Sequence, residues 1–190
     1  MITAILLAAG QSKRIPNENK LIKKFKNKPL INHILKSLIK SKINKIIIVL
    51  GYEHLKIKKI LLKSKKINLV INKYYKKGIS SSIKIGIKKI NKQNKGFMIV
   101  QSDMPFIKSH HINKIYFSLK KKNYLVHILK YKNTVGNPIG FDISVIKKFK
   151  KIKGDIGAKY IIKRLLKNTN FIKISTNKIF KDFDLKKDFN

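Results

Sequence analysis

The chain has 190 residues, a length that suits one domain burying roughly 70% of its unfolded surface. It has no cysteine, which excludes disulfides and thiolate metal sites and fits a cytoplasmic location. Its 46 Lys and Arg against 8 Asp and Glu give a formal charge of +38, which calls for a test of nucleic-acid or membrane binding. Arg14 and Arg164 are the only arginines, so 44 of the 46 basic residues are lysines, and these run through every segment instead of one stripe. Lys, Ile and Asn share A/T-rich codons, so genome bias accounts for the charge better than a binding surface does. Salt-sensitive adhesion to polyanions is still expected, without a specific nucleic acid. The apolar run from Ala4 to Ala9 is too short for a signal peptide or membrane span, so no membrane partner is expected.

In chain order, Thr3 to Leu7 reads as a fully buried strand. It opens into the small residues Ala8, Ala9 and Gly10, then into Gln11, Ser12, Lys13, Arg14 and Lys20. Pro29 to Ser41 reads as an amphipathic helix, with Pro29 at its first position. Ile46 to Leu50 is a buried strand ended by Gly51, residues 54 to 64 a basic surface helix, and Ile67 to Ile71 a third strand. Asn72 to Ser82 is a loop leading into a helix over about residues 81 to 91, and Phe97 to Val100 a fourth strand. Such strict alternation predicts a mostly parallel sheet with helices on both faces. Then come a helix over 108 to 121, a strand over 124 to 131, and a turn over Gly136 to Phe141 entering a strand or helix. A helix over Asp155 to Lys167, a strand over Asn170 to Ser175 and an acidic tail close the chain. Neither a linker nor a repeat divides it, so residues 1 to 190 are expected to form one domain.

The first loop is the strongest chemical signal. Small side chains at a strand's carboxyl end let backbone N–H groups approach an anion. Arg14 adds a planar fork and Lys20 a point charge, which together describe a triphosphate cradle. The phosphate fingerprints G-x-x-x-x-G-K-[ST] and G-x-G-x-x-G are both missing. An ordinary strand-to-helix turn with a basic rim is the competing reading.

With eight carboxylates in the chain, each one is informative. Asp103, in VQSDMPFI, sits at the carboxyl end of the fourth strand, on the sheet edge that carries the first loop. A carboxylate facing a triphosphate needs a cation between them, and Mg²⁺ fits, held by one or two carboxylates plus phosphate oxygens. The alternative for Asp103 is a helix cap. Asp182 and Asp184 share one face if the tail is extended, and spacing does not choose between them as the second acid. Gly78, Ser80, Ser81 and Ser82 precede a helix and offer donors to an anion or ribose, or simply cap that helix. The five histidines show no metal spacing, and the adjacent His110 and His111 are expected to point apart. No serine or cysteine triad is present.

Six segments in order resemble the molybdenum cofactor cytidylyltransferases and related MobA-like nucleotidyltransferases. They are LAAGQSKR with Lys20, KYYKKGISSSIKIGI, SDMP, GNPIGF, GDIGAKYII and FKDFDLKKDF. The resemblance implies a single-domain, Rossmann-like nucleotidyltransferase α/β fold. It implies nucleotide binding by Leu7, Ala8, Ala9, Gly10, Ser12, Arg14, Lys20, Ser81 and Ser82, and catalysis by Arg14, Lys20 and Asp103. It implies Mg²⁺ on Asp103 and Asp184, which favours Asp184 over Asp182, and an acceptor approached by Asn137 and Asp155. The implied reaction transfers CMP from CTP to a phosphorylated acceptor such as molybdopterin, releasing pyrophosphate, with a molybdoenzyme apoprotein as recipient of the product. The chain departs from the family at Ile15-Pro16, at Lys159 where arginine is usual, and at Leu185-Lys186-Lys187 where the family has Thr-Pro-x. Ala9 resembles the cytidylyl branch. The competing readings are GTP or another triphosphate with a different phosphate acceptor, a non-catalytic accessory domain that binds a cofactor, and an RNA-binding protein driven by charge.

Overall fold

The computed structural model describes residues 1–12, 14, 15, 18–91 and 93–189. Lys13 of the first loop, the departure at Pro16, and Asn17 therefore lie outside the described residues, as do Lys92 and the terminal Asn190.

The first strand, β1 (Ile2–Ala8), is buried along its whole length. A short hairpin, β2 (Lys24–Phe25) with β3 (Lys28–Pro29), leads into α1 (Leu30–Lys40). Then follow β4 (Lys45–Leu50), α2 (His54–Ile60), β5 (Ile67–Ile71), α3 (Ile79–Lys88) and β6 (Gly96–Gln101). The second half adds α4 (Ser109–Lys120), β7 (Val126–Tyr131), β8 (Thr134–Asp142), α5 (Lys159–Arg164) and β9 (Thr169–Lys173).

Seven strands form one sheet in the order β5-β4-β1-β6-β8-β7-β9. Among them β8 alone runs against the rest, pairing antiparallel with both β6 and β7. The other pairings are parallel, with Leu7 of β1 opposite Val49 of β4 and Gln101 of β6. The period-2 alternation of a strand divides the core in two. Ile2, Ala4, Leu6 and Ala8 of β1 pack against α1 and α4, while Ile5 and Leu7 pack against α3, α5 and the 3₁₀ stretch Ile143–Lys151. The expected mostly parallel sheet with helices on both faces is what the chain forms. Among the described residues no helix is long and apolar enough to cross a membrane.

Several boundaries differ from the reading of the sequence. Pro29 pairs with Lys24 and precedes the first helical residue instead of being it. The basic helix α2 stops at Ile60 because the buried Asn32 reaches across from α1. The Asn32 Nδ2 donates to the Ile60 carbonyl at 2.7 Å and its Oδ1 accepts from the Leu62 N–H at 3.3 Å. The helix expected over 81 to 91 begins at Ile79, so Ser80, Ser81 and Ser82 lie inside its first turn. The turn expected over Gly136 to Phe141 is part of β8, interrupted by a bulge. Ile139 pairs with Ile128 and Gly136 with Leu129, leaving Asn137 and Pro138 unmatched. The last helix shrinks to Lys159–Arg164, because the Gly154–Asp155 turn docks on α3. His110 and His111 do not point apart. Their ring centroids lie 3.8 Å apart, with the two Nε2 atoms at 2.9 Å.

Candidate active site

The carboxyl ends of β1 and β6 are adjacent, so whatever follows these strands shares one rim. Ser102, just past β6, donates its hydroxyl to the Leu7 carbonyl at 2.7 Å and staples the two ends together. A cleft of about 510 Å³ opens there.

The first loop forms one wall. Ala9 is buried under Gly51 and Tyr75, and its carbonyl accepts from the Tyr52 N–H at 3.3 Å. Gly10 is exposed, and a Cβ added there would meet no atom of the described residues within 4 Å. Ser12 has a left-handed backbone with φ of 54°. Its hydroxyl accepts from the Lys20 N–H at 3.2 Å and lies 3.5 Å from the Asn19 Oδ1, which itself accepts from the Leu21 N–H at 3.1 Å. The loop is thereby closed on itself, which directs the Lys20 side chain inward.

Asp103 follows β6 and is largely buried. Its Oδ2 accepts from the Lys20 Nζ at 2.6 Å, and its buried Oδ1 has no partner among the described residues. The tail arrives at the same point. The Phe183 N–H donates to the Asp103 carbonyl at 3.0 Å, and the buried Phe183 ring packs on Phe25, Phe106 and Phe189. With Phe183 turned into the core, its neighbours Asp182 and Asp184 both line the cleft. Asp184 Oδ1 accepts from the Lys20 Nζ at 2.6 Å, and Asp184 also pairs with the exposed Arg14. Asp188 supports this turn from behind, its Oδ2 accepting from the Asp184 N–H at 3.0 Å and the Leu185 N–H at 2.8 Å.

These contacts set the charges of the site. Burial by itself would lower the pKa of Lys20, but Asp103 and then Asp184 outweigh it and raise it, so Lys20 is a permanent cation. Desolvation pushes the Asp182 carboxyl up, and the nearby Asp184 and Asp103 push it the same way. The Leu185 N–H, then that of Asp184, hold the Asp188 carboxyl below its usual range.

Of the residues expected at the site, Leu7, Ala9, Gly10, Ser12, Arg14, Lys20, Ser82, Asp103, Asp155 and Asp184 line this one cleft. Ala8, Ser81 and Asn137 are not among its lining residues. Ala8 is buried in the sheet core. The Ser81 hydroxyl faces the Gly78 and Tyr74 carbonyls at 2.8 and 3.0 Å and accepts from the Asn72 Nδ2 at 2.8 Å. Asn137 sits in the β8 bulge, with its buried Oδ1 unpaired among the described residues. Asp155 Oδ1 also accepts from the Ile79 N–H at 3.3 Å, at the start of α3. Reading the sequence missed Gln11, Tyr75, Lys76 and Gln101 on the cleft wall, and the positioning roles of Ser102, Phe183 and Asp188. Phe183 did leave a signal, since an aromatic between two acids anchors an extended tail by one face.

Among the described residues no cluster of three or more His, Asp or Glu side chains is arranged as a metal cage. The arrangement fits a hard divalent cation that takes two carboxylates and completes its shell with phosphate oxygens and water. The buried Asp103 Oδ1 has no hydrogen bond among the described residues to lose to such a cation.

The chain shares its fold with known nucleotidyltransferases. The profile of the family described as MobA-like NTP transferase domain matches residues 4–169. The bifunctional protein GlmU of Thermosipho melanesiensis is 27% identical over 195 residues, covering 95% of this chain and 42% of that protein. The chain thus spans less than half the length of this curated relative. The crystal structure of Rv0371c from Mycobacterium tuberculosis H37Rv superposes with a TM-score of 0.86 at 17% identity, covering 99% of this chain and 95% of that one. The same protein has been solved in complex with manganese, with a TM-score of 0.81, 17% identity and coverage of 99% and 95%. A nucleotidyl transferase from Methanothermobacter thermautotroptrophicus gives 0.84 at 15% identity, covering 100% and 94%.

Proposed function

The chain belongs to the MobA-like NTP transferase domain family, and from that premise we propose that it transfers CMP from CTP to the terminal phosphate of a molybdopterin-type acceptor, with release of pyrophosphate. The observation that carries this reading is the meeting of Asp103 and Asp184, 81 residues apart in sequence, on the two sides of Lys20, in the cleft that Gly10 also lines.

In this reading the N–H groups of the Ala9–Gly10 turn, Arg14 and Lys20 receive the β- and γ-phosphates. The space beside Gly10, which holds no atom of the described residues within 4 Å of an added Cβ, is where in this reading the triphosphate would come close to the backbone. Asp103 and Asp184 would hold Mg²⁺, which when bound would neutralise phosphate charge and fix the α-phosphate orientation. Ser82 borders the nucleotide side and Asp155 the acceptor side, while Ser81 and Asn137 stand off the cleft wall. An acceptor phosphate oxygen forms the bond to the α-phosphorus as the bond from that phosphorus to the bridging oxygen breaks. The electron pair departs with pyrophosphate. A phosphate monoester is already an anion, so the site needs alignment and charge neutralisation more than a strong general base.

A second reading keeps the reaction and changes the substrates, to GTP or another triphosphate and another phosphate acceptor. It is favoured by Ile15 and Lys159, where the chain departs from the family pattern. Pyrophosphate release, measured for the four triphosphates with Mg²⁺ and a panel of phosphate acceptors, separates the two. CTP with molybdenum cofactor is expected to give the highest kcat/KM. A different best pair replaces the first reading with the second, and no release from any pair leaves a binding domain. Asp103→Asn is expected to keep the wild-type circular dichroism spectrum and to lose about 10²-fold or more in kcat. Full activity in that variant would refute the metal role.

A further inference from the structure

We infer that Lys20 is a tethered stand-in for the divalent cation, holding Asp103 and Asp184 together in the free protein and weakening metal binding until a triphosphate arrives. This rests on the proposed role of those two acids as metal ligands. Lys20 Nζ lies 2.6 Å from an oxygen of each, and its side chain is only 15% exposed. It therefore occupies the electrostatic position between the two carboxylates. Arg14 adds a second positive charge on Asp184 from the outside. Two cations against two carboxylates leave the pair neutral, and a divalent ion gains little from a neutral pair.

A triphosphate changes the balance, because its oxygens compete for the same two cations. As Lys20 and Arg14 turn to phosphate, both carboxylates are left uncompensated beside the new anion. Asp103 Oδ1, buried and without a partner among the described residues, breaks no hydrogen bond when the carboxylate turns to a cation. Metal and triphosphate then each improve the binding of the other, which is a reciprocal coupling with a physical cause. The tail keeps its place while Lys20 moves, since Phe183 and the Asp103 carbonyl anchor it independently of the ion pairs.

The test uses Mn²⁺ alone, without nucleotide, and reads free Mn²⁺ by electron paramagnetic resonance. The wild-type chain, Lys20→Met, Arg14→Ala, Asp103→Asn and the Lys20→Met/Asp103→Asn double variant are compared, each checked by circular dichroism. Lys20→Met is expected to bind Mn²⁺ about tenfold or more tighter than wild type, the scale of removing a charge at contact distance. The double variant is expected to lose that gain. Should Lys20→Met fail to fold, Arg14→Ala decides, because a side chain 69% exposed carries little folding burden; it is expected to tighten binding by a smaller factor. If Lys20→Met binds no tighter while Asp103→Asn weakens Mn²⁺ binding, the stand-in role is overturned and the metal site survives. If Asp103→Asn leaves Mn²⁺ binding unchanged, the metal site falls and takes this inference with it.

Discussion

Gly10 and His111 show two kinds of dependence on a single residue. The described residues make no packing demand at Gly10, since an added Cβ meets none of their atoms within 4 Å and φ lies outside the left-handed region. Gly10→Ala is therefore expected to change stability by less than about 0.5 kcal/mol and to raise KM for the triphosphate. Urea unfolding and steady-state kinetics on one preparation check both halves. An unchanged KM would mean that no ligand approaches the turn closely. At His111 the burden falls on the fold. The Lys108 N–H donates to its Nδ1 at 3.0 Å, so the ring is neutral with its proton on Nε2, towards His110. Burial, then the charges of His110, Lys114 and Lys108, push its pKa down to about 4 from 6.5. The unfolded chain binds this proton more readily, so the stabilisation is complete above pH 6.5 and is lost as pH falls from there through about 4. Buried His127, also shifted down chiefly by burial, acts in the same direction. The urea midpoint should drop between pH 7 and pH 5, and drop less in His111→Gln. An equal drop in that variant would assign the effect elsewhere.

At the scale of elements, the C-terminal tail is positioned by one aromatic side chain. Phe183 is buried, with its ring centroid 4.7 Å from Phe25 of the β2–β3 hairpin and 5.8 Å from Phe106. Phe183→Ala is expected to cost about 3–5 kcal/mol and to reduce activity as well, because Asp184 loses its mount. Asp184→Asn should reduce activity at little cost in stability, since that side chain sits in the open cleft. Chemical denaturation and pyrophosphate release on both variants test the distinction. A tail that Phe183→Ala leaves fully active would show that the ion pairs and the backbone bond to Asp103 suffice to hold it. The elements also explain what the sequence hid. The buried strands were legible because each is a continuous apolar run, and α1 because its apolar stripe repeats with the helical period. The end of α2 was not legible, because it depends on Asn32 reaching from another helix. The β8 bulge was hidden too, because a register shift is a property of two strands.

For the whole molecule, a net charge of +38 on 190 residues makes self-repulsion a global force. Screening should relieve it, so the Tm is expected to rise by several degrees between about 50 and 500 mM NaCl. Differential scanning fluorimetry checks this, and a flat or falling Tm would show that the lysines are already compensated locally. The α/β alternation, the small-residue first loop and the scarcity of acids were fixed by the sequence alone. Each depends on neighbours in the chain or on composition, and local preference is enough to reveal it. What joins Asp103 to Asp184, and both to Lys20, was decided by the tertiary structure. That junction needs β1 beside β6, a staple from Ser102, and Phe183 seated in a core built from distant residues. Spacing could not choose between Asp182 and Asp184; the fold brings both to the cleft and gives Lys20 and Arg14 to Asp184. The physical reason is that a carboxylate's partner is set by distance in space, and distance in space between remote segments is created only when the core closes.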